Sequence, residues 1–164
     1  FLLGDYSACL KLLAIPMGVV NSFLSSVQPR LARLTGNRSE LQRLLKKYVG
    51  LLGLSSLAMI FVCWSFPGFL VHLFFGDKFL VAEFYLGPLS LVTSAVIMTL
   101  LPMHALFVSH DTRQLLKIVA VNFGLSAAVN SAILIYQKPE LLPWGMLGVQ
   151  IFCAFQAWRH YFRK

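Results

Sequence analysis

The chain has 164 residues, 58% of them hydrophobic and only 12% charged, and its mean hydropathy is +0.74. A soluble domain carries about 25% charged residues, so the composition argues against a water-soluble fold and for a bilayer as solvent. The net charge of +8 does not indicate nucleic acid, because the basic residues are scattered among apolar blocks and read as positive flanks of membrane helices.

The chain opens on Phe1 inside an apolar stretch, with no n-region, h-region or cleavage site. It is expected to be a fragment of a longer membrane protein, entered partway down a helix. Cys9, Cys63 and Cys153 are isolated in apolar surroundings without metal-type spacing, and read as small apolar fillers. No metal site is expected.

The first helix is predicted over about 4–34. On a 100° wheel, Ser7, Lys11, Gly18, Asn21, Ser22, Ser25 and Gln28 fall within roughly a 120° arc, and Pro16 lies opposite as a kink candidate. Lipid offers such polar groups no partners, so this face should look into protein or a water-filled cavity. Lys11 stands out, because a buried ammonium costs about 3 kcal/mol on insertion scales. It either has a task in a cavity, or it snorkels or pairs with an acid elsewhere. The helix runs into Arg30 and Arg33, and a basic linker follows with Arg38, Arg43, Lys46 and Lys47 against one acid, Glu40. Thr35-Gly36-Asn37 breaks the chain and Ser39 can cap the next helix.

The second helix is predicted over about 40–66, with an apolar span from Tyr48 to Trp64. Trp64 and Phe66 sit at the far interface and Pro67-Gly68 stops the helix. The segment 69–80 is too short to span and suits an interfacial helix with a turn at Gly76-Asp77. His72, Asp77 and Lys78 read as headgroup-level loop residues, with a gate or proton site as the alternative. The third spanning helix, about 82–108, carries Pro88 and the hinge candidate Pro102. Ser90, Thr93, Ser94 and His104 share one face within about 100°. His104 is read as interfacial; a cavity-facing group or proton relay is the alternative. His110-Asp111 forms the turn that follows.

The fourth spanning helix, about 112–136, starts with Arg113 and Lys117. Asn122, Ser126 and Asn130 recur at every fourth position, which reads first as interhelical hydrogen-bond glue beside Ala127 and Ala128, and second as the lining of a substrate path. After an outer turn with Pro139 and Pro143, a fifth helix over about 142–162 ends in Arg159, His160, Arg163 and Lys164. With the first linker placed inside, eleven of the fourteen Lys and Arg residues fall on inner flanks, Lys78 and Lys138 fall outside, and Lys11 lies within the membrane. Five spans entering from outside and ending inside obey the positive-inside rule. The fold class is thus an all-α integral membrane protein.

Several motifs together carry a family resemblance. GDYSACLKLLAIPMGVVNSFLSSVQPRLARL resembles a "G-Y-x-A … P-R-L" helix, FFGDKFLVAEFYLGPLSL an "L-F-G-x-x-F-x-x-A … L" outer segment, and FVSHDTRQLLKI a short turn between helices. SAAVNSAILI and then GMLGVQ resemble an "N-x-x-L/I" stripe followed by "G-x-x-G-A". In order and spacing these resemble the polysaccharide and O-antigen flippases of the multidrug/oligosaccharidyl-lipid/polysaccharide exporter superfamily. The outer loop QKPELLPWG is longer than that pattern, and Val149 stands where Ala is usual.

The resemblance implies most of a C-terminal six-helix lobe. It also implies flipping of undecaprenyl-pyrophosphate-linked oligosaccharide across a bacterial inner membrane, by alternating access coupled to a proton or sodium ion. The expected partners are the bilayer, the lipid-linked oligosaccharide and other polysaccharide-assembly proteins. Lys11 would meet the pyrophosphate as a mobile point charge; Asn21, Ser25, Gln28, Asn122 and Asn130 are the other cavity candidates, and Pro16 and Pro102 would let the lobe flex. No catalytic residue and no other cofactor is expected.

The competing readings are a drug or cation antiporter, the flippase for the peptidoglycan lipid precursor, a structural membrane subunit, or an embedded glycosyltransferase or polymerase. Antiport calls for acids inside helices, yet Glu40, Asp77, Glu83, Asp111 and Glu140 fall at ends or loops, and only Asp5 could reach a cavity. An enzyme would need convergent carboxylates or a His/Asp set, and none forms a recognisable motif.

Overall fold

In a computed structural model of the chain, the described residues form six α-helices and no strand. The structure describes residues 2–34, 38–79, 81–108, 112–136 and 138–163, and only the backbone of 2, 3, 38, 77, 78, 139 and 160–163. The expected breaks at Thr35-Gly36-Asn37 and His110-Asp111 lie outside the described residues, as do the side chains of Arg38, Asp77, Lys78, Arg163 and Lys164.

The helices are α1 (Leu2–Arg33), α2 (Arg38–Ser65), α3 (Pro67–Phe75), α4 (Ala82–Val108), α5 (Thr112–Ile135) and α6 (Leu142–Arg163). Pro67 ends α2 and also starts α3, where a missing N–H and a fixed φ suit the first helical turn. Gly76 then closes α3 at φ +67°, its N–H donating to the His72 carbonyl; a side chain there would be strained.

Four helices, α1, α2, α4 and α5, are long and apolar enough to cross a membrane. The fifth expected span, α6, is not among them. Its 22 residues reach about 33 Å, so length is sufficient; Gln150, Gln156, Trp144, Trp158 and Arg159 dilute its apolar character. The membrane reading is supported by what the bundle leaves uncovered. Phe84, Phe123 and Ile135 are 80%, 77% and 77% exposed, in company with Leu54, Phe61, Phe69 and Leu134. That much apolar surface is at ease in hydrocarbon and costly in water. The chain is a multi-pass α-helical membrane protein.

Helix α4 is the axis of the bundle and touches each of the other five. It is apolar around its whole circumference and is the most buried of the four spans, although Phe84 and Phe107 still face outward. Its polar residues are self-contained: Ser90, Ser94 and Thr99 are buried, and their hydroxyls donate to the carbonyls of Gly87, Ser90 and Ala95 at 2.6, 2.8 and 2.8 Å. Small side chains let neighbours come close. The Trp64 ring lies against Gly87 and its Nε1 donates to the Gly87 carbonyl at 3.1 Å, so this belt residue also ties α2 to α4.

The core falls into two main layers. One joins Val20, Leu24, Val27 and Leu31 of α1 to Leu45, Tyr48 and Leu52 of α2 and Ile97, Leu101 and Ala105 of α4. The other joins Cys9, Leu12 and Leu13 of α1 to Cys63, Val71, Ala82, Tyr85, Leu86 and Leu89. A smaller cluster of Leu106, Ile118 and Ala157 brings in the start of α5 and the end of α6. The end of α1, start of α2, end of α4, start of α5 and end of α6 therefore share one side of the bundle. All the described basic flanks except Lys138 lie there.

Both hinge candidates sit inside continuous helix. Pro16 is half-buried on the packed side of α1, and Pro102 is fully buried in α4. Proline at 102 has no N–H to offer the carbonyl four residues back, that of Met98. The Trp158 indole of α6 donates to that carbonyl instead, at 3.2 Å.

Candidate functional site

The polar face of α1 is the strongest candidate, and its placement follows from the helix period. The apolar stripe Cys9, Leu12, Leu13, Val20, Leu24, Val27 and Leu31 packs into the two core layers, which turns the opposite face outward. Ser7, Lys11, Gly18, Asn21, Ser22 and Ser25 are accordingly exposed. The serine hydroxyls satisfy themselves along the helix: Ser22 donates to the Gly18 carbonyl and Ser25 to the Asn21 carbonyl, each at 2.9 Å. The face expected to look into a cavity is thus uncovered by α2–α6.

Depth along this face separates its members. Arg30 follows Lys11 by nineteen positions, about 28 Å of helix, close to the ~30 Å thickness of a bilayer's hydrocarbon core. With Arg30 at one interface, Lys11 belongs near the other, while Asn21 and Ser25 lie at intermediate depth. Both earlier readings of Lys11, snorkelling and ligand contact, act at that far end.

Gln28 turns toward the bundle and meets a residue that sequence spacing could not pair with it. It lines an open groove of about 320 Å³ together with Leu100, Met103, His104, Phe107 and Leu115. Gln28 and His104 are both half-buried there. An amide and an imidazole in an otherwise apolar groove supply hydrogen bonding and orientation.

The Asn122, Ser126 and Asn130 stripe lies on the half-buried side of α5. Ser126 donates to the Asn122 side-chain oxygen at 3.3 Å, a bond along the helix and not across an interface. The Asn130 Oδ1 is buried and has no hydrogen-bond partner among the described residues. Helix α5 meets α6 at Gly145, where a Cβ would come within 2.6 Å of Val129 Cγ1 and 2.9 Å of Ile133 Cδ1. The small residue that brings these helices together is therefore Gly145, with Ala127 and Ala128 exposed.

The topology residues Arg30, Arg33, Arg43, Lys46, Lys47, Arg113, Lys117 and Arg159 are all exposed. His72 is exposed on α3. Asp5 is 5% exposed, in the first turn of α1 beside Tyr6, which meets Tyr85 edge-on at 6.1 Å. Its burial had no signature in the sequence, where it appears simply as an acid near a helix start. No group of three or more His, Cys, Asp or Glu among the described residues could hold a metal ion.

Searches against protein-family models, curated proteins and solved structures find no match to the chain. The flippase resemblance is carried by the motifs quoted above.

Proposed function

We propose that the chain is most of the C-terminal lobe of a flippase that moves undecaprenyl-pyrophosphate-linked oligosaccharide from the cytoplasmic to the periplasmic leaflet of a bacterial inner membrane. The observation that carries this reading is the exposed polar face of α1. From Lys11 to Ser25 it spans about 21 Å of helix, some two-thirds of the depth of the hydrocarbon. Facing lipid it would be costly; facing a path for sugar hydroxyls and phosphate it is at home. The basic end is the cytoplasmic one by the positive-inside rule. In this reading Asn21, Ser25 and Gln28 meet sugar or water from mid-depth inward. Lys11 meets the pyrophosphate near the periplasmic end, and the prenyl tail stays in lipid. Movement is by alternating access against a second lobe, driven by a proton or sodium gradient.

The test is flipping of lipid-linked oligosaccharide by the full-length protein in proteoliposomes. Lys11→Ala is expected to slow transport about tenfold, the effect of losing one charged contact to phosphate. Unchanged transport would remove Lys11 from the path.

A drug or cation antiporter is the second reading, and the burial of Asp5 favours it. Sodium- or proton-coupled efflux of a cationic dye, abolished by Asp5→Asn and with no flipping of the oligosaccharide, would replace the first reading by the second.

A further inference from the structure

The positive-inside rule requires only that cations lie on one side of the membrane. It does not require them to converge, yet four of them do. Arg30 and Arg33 of α1 and Arg43 and Lys47 of α2 line one open cavity of about 540 Å³, with Leu34, Glu40 and Leu44 completing the wall. This falls in the roughly 300–1,000 Å³ range of ligand sites. The convergence follows from helical spacing. Arg30 and Arg33 share one face of the final turn of α1 with Leu34 just past its end, and residues 40, 43, 44 and 47 share one face of α2. Lys46, one residue off that register, is not in the wall.

The four cations outnumber the one carboxylate, so the wall keeps a formal charge of +3 whichever cation Glu40 offsets. Glu40 also sits in the first turn of α2, where the positive end of the helix favours an acid. Without an anion, Arg30 and Arg33 face Arg43 and Lys47 across a gap, and the direct contact between α1 and α2 is narrow. It includes Phe23 meeting Tyr48 edge-on at 5.4 Å. The apolar members, Leu34 and Leu44, follow the cations on the same faces. A site with guanidinium groups beside leucines, at the level where α1 and α2 leave the hydrocarbon, matches a phosphate joined to an acyl chain.

We infer that this cavity binds the phosphate of an anionic phospholipid from the adjoining leaflet, clamping the end of α1 to the start of α2. Arginine forks grip phosphate oxygens in bidentate fashion, and Lys47 adds a point charge. Basic pockets between helices at the cytoplasmic surface are suited to acidic headgroups. The inference depends on the membrane reading alone and stands whatever α1's polar face carries.

Native mass spectrometry of the full chain in detergent, titrated with phosphatidylglycerol or phosphatidylcholine, tests it. Phosphatidylglycerol should bind at least about tenfold more tightly. Arg33→Gln with Arg43→Gln should erase that preference, and Arg33→Lys with Arg43→Lys should keep most of it. Arg113→Gln with Lys117→Gln, elsewhere on the same side, should leave it intact. If the glutamine pair fails to fold, Arg33→Gln and Lys47→Gln singly should each weaken phosphatidylglycerol severalfold. Inorganic phosphate at equal concentration should not displace the lipid. Equal binding of the two lipids, a preference that survives the loss of both arginines, or displacement by inorganic phosphate overturns the assignment.

Discussion

Gly145→Leu is expected to destabilise the bundle by about 3 kcal/mol, read as the shift in the midpoint of unfolding by sodium dodecyl sulfate in mixed micelles. The closest atoms to a new Cβ are branched ends of Val129 and Ile133, at 2.6 and 2.9 Å. Val129 Cγ1, the nearer of the two, is fixed by the stiff χ1 of a β-branched side chain and cannot swing aside at little cost, whereas Ile133 Cδ1 can turn about χ2. The alternative is for α5 to back away from α6, which forfeits the van der Waals contact that holds helices together in lipid, where no hydrophobic drive exists between them. Adding Val129→Ala and Ile133→Ala should return about half of the loss, because the clash and its relief then share the same atoms. A shift below about 0.5 kcal/mol in the single variant would mean that α5 is not held at this spacing. Gly148, one turn later, has nothing within 4 Å of its Cβ position, so Gly148→Leu is the matched control.

Trp158→Phe is expected to cost about 2 kcal/mol by the same measurement, through the Met98 carbonyl that Pro102 leaves without its helical donor. The informative quantity is the coupling. In a Pro102→Ala background, residue 102 regains an N–H that can bond the Met98 carbonyl along the helix. Trp158→Phe should then cost at least about 1 kcal/mol less than in the native chain. Equal costs in the two backgrounds would show that Trp158 contributes packing alone.

Much of the helical layout is written in the sequence through apolar runs and their punctuation. Pro67 marks the break between α2 and α3, and Gly76 the turn after α3, because each residue imposes a backbone conformation by itself. Partnerships between distant segments are less legible. Wheel angles place Gln28 on the edge of one polar arc and His104 on another helix, and nothing local says that they line one groove. GMLGVQ contains two glycines of equal standing in the sequence, yet only Gly145 needs to lack a side chain. The stripe on α5 suggested interhelical bonding, and the bond that forms runs along the helix, from Ser126 to Asn122, because a residue four positions back is always within reach. The polar face of α1 was legible as a face. Which way it turns was set by the stripe opposite, once that stripe had α4 to pack against.

The dominance of α4 has a consequence for how the chain is made. Helices α1 and α2 emerge from the ribosome before α4, but have little direct contact with each other and share their core mainly through α4. On insertion they are two separately stable spans that diffuse in the membrane without a reason to associate. Synthesis of Ala82–Val108 supplies the surface onto which α1, α2 and α3 dock, and α6 packs on it later, with Trp158 bonded to the Met98 carbonyl. Assembly of these helices is therefore deferred until α4 has been made. A chain stopped before α4 would be inserted and helical but unassembled, and open to the proteases that survey the membrane for orphaned spans.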